Sequence, residues 1–168
     1  MAMTLTTKGI TQAAEVLNLI PITPWVLGTV ERMLPTGRDD AVTWNRCWYE
    51  QYVALDGEVA NSGTKPCPRV AARGLWYLGR LRRGQRPLLA WTVDEVYRKL
   101  SKNAAYAIIA ADLLAAGPVC PAPALWPLVQ SEFTRLTGDA PANSEQGEVR
   151  LVVALHRSGE LVAAPRSR

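Results

Sequence analysis

The sequence carries no Asp or Glu between Glu58 and Asp94, only three cysteines and one histidine, and no apolar run near the roughly 18 residues that a membrane span needs. Cys47, Cys67 and Cys120 are an odd number without close spacing, so neither a disulfide framework nor a metal knuckle fits and reduced thiols are expected. A metal site on those cysteines and His156 has no supporting spacing, and neither metal nor cofactor is expected. The N-terminal MAMTLTTKGI lacks the charged n-region, apolar h-region and small-residue cleavage site of a secretory signal. The expectation is a cytoplasmic protein without a membrane segment. Strand-type alternation is missing as well, which leaves an all-α class.

The missing carboxylates expose one basic stretch. Seven of the 19 Lys and Arg fall there, at Lys65, Arg69, Arg73, Arg80, Arg82, Arg83 and Arg86, leaving 12 basic against 15 acidic residues elsewhere. The stretch reads as a turn, Asn61 to Thr64, feeding a helix that starts near Cys67, with Pro68 in its first turn, where the missing N–H costs nothing. At about 100° per residue Val70, Ala71, Gly74, Leu75, Tyr77, Leu78 and Leu81 share a core face, and Arg69, Arg73, Trp76 and Arg80 lie opposite. Gly79 is the expected left-handed cap, followed by a basic loop to Pro87.

With 168 residues, 48% hydrophobic and 20% charged, the chain fits one domain, taken as 7–162 with a flexible tail at 163–168. Six or seven helices are expected. A short Ala-rich helix covers 11–19. Thr23 and Pro24 open a second to about 34, and Asp39 or Asp40 caps a third to about 55, where Trp44, Trp48, Tyr52 and Leu55 recur on one face. Thr92 and Glu95 form a capping box for a helical phase running to Gly117, broken at Ser101. The last two helices cover 124–136 and 145–157.

The sequence also repeats itself. Trp44 precedes Asn61 by the same 17 positions that separate Trp126 from Asn143, and each Ala-Asn-Ser leads to a helix ending Leu-x-x-x-Gly-x-Leu, at Leu75, Gly79 and Leu81 and at Leu155, Gly159 and Leu161. Ala-rich segments starting at Lys8 and Lys102 precede the two copies, so a three-helix unit duplicated over 8–83 and 102–162 is expected. The basic face belongs to one copy, because Arg69 and Arg73 correspond to Val149 and Val153, and Trp76 to His156.

The runs Lys65-Pro66-Cys67-Pro68-Arg69 with the later Gly74-Leu75, Ser101-Lys102-Asn103 before Tyr106-Ala107, Leu125-Trp126, and Asn143-Ser144 with Gln146 resemble a family of uncharacterised small bacterial and phage proteins. The resemblance spans about Thr43 to Leu161; it implies fold and extent, and no activity. The chain departs from that pattern at Trp76, at Gly147 and in a longer insertion over 84–91.

Lys65, Arg69, Arg73, Trp76, Arg80 and Arg83 combine cations with a stacking ring, so the expected function is non-catalytic binding of nucleic acid or an acidic protein. An alternative is a small enzyme centred on Cys67, whose thiol at a helix N-terminus between Lys65 and Arg69 has surroundings that lower its pKa, with His156 or the polar set Asn103, Tyr106 and Gln146 as partners. A third is a protein–protein interaction module. The turn from Asn61 to Lys65 also offers N–H groups to a phosphate or carboxylate, without being a Walker motif. Glu145 and Glu148 read as helix-start acids, and Trp91 as an exposed contact.

Overall fold

The computed structural model describes residues 16–17, 20–58 and 65–164. Among them, seven α-helices and one 3-10 turn account for nearly all the regular structure, the all-α architecture expected. The one sheet among the described residues is an antiparallel pair of two-residue strands, β1 (Val16–Leu17) with β2 (Ile20–Pro21). It corrects the C-terminal end of the helix expected over 11–19, whose earlier part lies outside the described residues. Pro21, fixed near φ −59° and lacking an N–H, ends the pair and starts the next helix.

α1 (Ile22–Met33) buries Trp25, Val26, Thr29, Val30 and Met33, the apolar line read from the sequence. α2 (Ala41–Ala54) starts where Asp40 Oδ1 accepts from the Thr43 N–H at 2.9 Å, and it buries Trp44, Cys47, Trp48 and Tyr52. α3 (Pro66–Tyr77) begins one residue before Cys67. The capping box of Thr92 and Glu95 opens α4 (Val93–Lys99), and Ser101 Oγ accepts from Ala104 N to open α5 (Lys102–Ala116), so the helix breaks at the serine. α6 (Ala122–Thr137) starts two residues earlier than expected and carries Pro127 inside it. α7 (Glu148–Arg157) starts three residues later than expected because Gly147 sits at φ 106°. Glu145 caps it from outside, Oε1 accepting from the N–H groups of Gly147, Val149 and Arg150.

α5 is the axis of the molecule, packed by α3, α4, α6 and α7. Nine of its 15 residues are buried, and its alanines let neighbours approach closely. A Cβ added to Gly74 of α3 would lie 2.6 Å from the Cβ of Ala104. On one side of this axis Trp25, Trp48, Trp44 and Trp76 form a ladder, with successive ring centroids 4.3, 6.3 and 5.2 Å apart. On the other, Tyr106 meets Trp126 and Phe133 edge-on at 5.1 and 5.0 Å.

α3 and α7 end identically. After α3 the Arg80 N–H reaches Leu75 O and the Gly79 N–H reaches Trp76 O; after α7 Glu160 N reaches Leu155 O and Gly159 N reaches His156 O. Gly79 and Gly159 sit at φ 74° and 73°, the left-handed residue this double hydrogen bond requires. The two ends then pair with each other. Leu81 and Leu161 form an antiparallel bridge in which Arg82 N donates to Glu160 O and Val162 N donates to Arg80 O, each at 2.8 Å. A duplicated unit is a proposal that this shared cap supports. The helix directly before α2 among the described residues is α1, while the Lys8 segment lies largely outside them.

Candidate functional site

Part of the basic stretch is turned inward: Arg80 is buried and Arg69, Arg73 and Arg86 are half-buried. Trp76, expected on the exposed arginine face, is 3% exposed. The α2 ladder covers that flank of α3, with Trp44 stacked on the indole. A helical wheel drawn for a helix with one packing partner misplaces this residue, because α3 is covered by both α5 and α2. Arg80, expected in a basic loop, is 4% exposed. Its Nε donates to Val162 O at 2.8 Å and its Nη2 to Asp112 Oδ1 at 2.6 Å.

Arg73 and Arg86 converge on Asp39, before α2. Arg73 Nη2 donates to the Asp39 carbonyl at 2.8 Å and Arg86 Nη2 to its carboxylate at 3.3 Å. Arg86 also lies 4.7 Å over Trp76 and 4.8 Å over Tyr77, which pins the 84–87 loop to α3 by cation–π contacts. Burial holds Arg73 below the ordinary guanidinium range. Arg83 meets Glu160 at 3.3 Å with its own side chain 68% exposed. Lys65 and Arg82 are exposed, Arg69 is half-buried, and the Asn61 to Thr64 turn lies outside the described residues. Trp91 is half-buried rather than exposed, set against Tyr77 and under Lys99 Nζ at 4.7 Å.

Cys67 stands with Asn103 and Glu148, at the starts of α5 and α7. His156 is at the opposite end of α7 from Glu148, roughly 12 Å along the axis, so the Cys67–His156 pairing is not formed. Burial, with the charge of Glu148 adding to it, pushes the Cys67 thiol up, against the lowering expected of a helix N-terminus beside basic residues. Tyr106 Oη accepts from Ala142 N at 2.7 Å, and Lys102 and Gln130 donate to Ala140 O and Ala142 O. These polar groups hold the 140–143 loop. Gln146 donates to Ser144 Oγ at 2.8 Å and is exposed. Among the described residues no group of three His, Cys, Asp or Glu could hold a metal ion, and no helix is long and apolar enough to cross a membrane.

Glu148 is the residue the sequence undersold. It is 1% exposed, and its Oε2 accepts from Gln146 N at 3.0 Å. Burial, reinforced by Glu145 and only partly offset by backbone N–H groups, pushes its carboxyl up to about 6. The folded chain therefore holds a proton here that the unfolded chain releases. This group's contribution to stability is complete below pH 4.5 and is lost as pH rises through about 6. Glu148→Gln, which keeps an acceptor for Gln146 N, is expected to remove about 2 kcal/mol of pH dependence between those limits. Urea midpoints at pH 4.5, 6 and 7.5 check this; parallel pH profiles for wild type and variant would refute it.

The counter-ions Asp39, Asp112 and Glu160 were not legible as partners, since they lie 47, 32 and 77 positions from Arg86, Arg80 and Arg83. No family model, no curated protein and no solved structure matches the chain.

Proposed function

We propose that this is a non-catalytic binding protein that recognises an acidic protein surface through the cations left outside after folding. What carries the reading is the placement of Arg82 and Arg83, projecting from the turn after α3, and of Lys65 at the helix's other end, roughly 18 Å away, within 35 residues that contain no acid of their own. The Arg83 side chain is 68% exposed although its partner Glu160 is buried, so the outer edge of its guanidinium faces an outside carboxylate while the contact to Glu160 is kept. Trp76 supplies no stacking platform, which favours a protein over single-stranded nucleic acid.

Fluorescence anisotropy with labelled poly-glutamate and with single- and double-stranded DNA and RNA tests this. Poly-glutamate should bind at low salt, weaken as salt rises, and lose at least about tenfold in Lys65→Glu/Arg82→Glu/Arg83→Glu. Absence of binding to poly-glutamate and nucleic acid alike at low salt would remove the polyanion reading. Tighter binding of nucleic acid than of poly-glutamate would reassign the partner.

A second reading, a site at Cys67, is supported by the company of Asn103 and of an acid half-protonated near pH 6. The raised thiol argues for a binding role there rather than a nucleophile.

A further inference from the structure

A cleft of about 340 Å³ opens between the segment before α4 and the outer face of α5, with Arg80 in its floor. We propose that it binds a small zwitterion, a free α-amino acid with an apolar side chain. The inference stands apart from the polyanion reading and does not depend on it.

Arg80 uses Nε on Val162 O and Nη2 on Asp112 Oδ1. Its Nη1 and the Oδ2 of Asp112 have no hydrogen-bond partner among the described residues, and the Asp112 side chain is 43% exposed. The pair therefore presents one charged donor and one charged acceptor side by side. An α-amino acid carries the complementary carboxylate and ammonium on a single carbon, so both contacts form together and both are charge-assisted. Net charge decides against a simple anion or cation. Arg80 and Asp112 already neutralise each other, so a singly charged guest would leave one charge of the pair without its complement, whereas a zwitterion matches both. The walls are apolar: Ile108 is one turn from Asp112 on α5, Leu136 closes the α6 side, and Leu88 and Trp91 come from the opposite segment. The volume is at the small end of ligand sites, fit for one amino acid rather than a nucleotide or peptide.

Isothermal titration calorimetry of the full chain with L-leucine, L-phenylalanine and L-methionine tests this, alongside N-acetyl-leucine, leucinamide and isoamylamine. At least one free amino acid should bind saturably, and each blocked or single-charge analogue should bind at least about tenfold more weakly. Asp112→Asn should cause a similar loss. Because that variant leaves Arg80 buried without a counter-ion, Leu136→Trp provides the second arm: it fills the cleft from an exposed position, leaves the ion pair intact, and should abolish binding. No saturable binding of any free amino acid at millimolar concentration overturns the proposal. So does an amine that binds as well as its amino acid, or binding that survives Leu136→Trp.

Discussion

Alanine at Gly79 is expected to cost about 3 kcal/mol or more of folding stability, and alanine at Gly159 only about 1 kcal/mol. Both glycines have the same backbone, φ 74° and 73°, and close the same double hydrogen bond at a helix end. Left-handed strain is thus common to the two variants. Their surroundings differ. A Cβ at Gly159 meets nothing within 4 Å, whereas one at Gly79 would stand 2.4 Å from Pro87 O, 2.7 Å from Pro87 C and 2.8 Å from Leu88 Cα. These are backbone atoms, held in place by Leu89 N donating to Leu78 O at 3.0 Å, so no rotamer change relieves the clash. The loop carrying Arg86 and the Leu88 wall of the amino-acid cleft must move instead. Urea unfolding of the two single variants is the measurement. Equal losses would mean that the 87–89 segment does not lie against the cap.

Trp76→Ala is expected to cost about 3–5 kcal/mol, the usual penalty for emptying a buried aromatic site. Trp76 is 3% exposed, stacked on Trp44, and it forms the ring under Arg86, so truncation opens a cavity and releases the 84–87 loop together. Phenylalanine sharpens the test. The Nε1 of Trp76 is buried without a hydrogen-bond partner, while that of Trp44 donates to Arg69 O at 3.0 Å. Trp76→Phe should therefore be milder than Trp44→Phe by about 1 kcal/mol, the net worth of one hydrogen bond. Polyanion binding should survive Trp76→Phe, because the indole is not on the surface. A Trp76→Ala variant as stable as wild type would return the side chain to the outside of α3 and restore base stacking as a possibility.

Reading the sequence worked where the deciding physics is local. Asp40, Thr92 and Ser101 cap helices because a side-chain oxygen reaches an N–H three residues on, a matter of one turn. Gly79 ends α3 because only glycine takes φ 74° without strain. The apolar lines of α1 and α2 followed from spacing, since each has a single buried face. Reading failed for Trp76, whose helix is covered on two sides, and for Val16–Leu17, too short a segment to separate strand from helix by pattern.

By itself the sequence determined the all-α class, the principal helix starts and stops, and a local excess of positive charge in a stretch that contains no acid. Which of those cations stay outside was decided only by the tertiary structure. Folding brings Asp39, Asp112 and Glu160 onto Arg86, Arg80 and Arg83, and sets Cys67 beside Glu148 rather than His156. Ion pairing and burial depend on distance in space. Spacing along the chain sets that distance within a turn or two of helix, and the packing of α3, α5 and α7 sets it everywhere else.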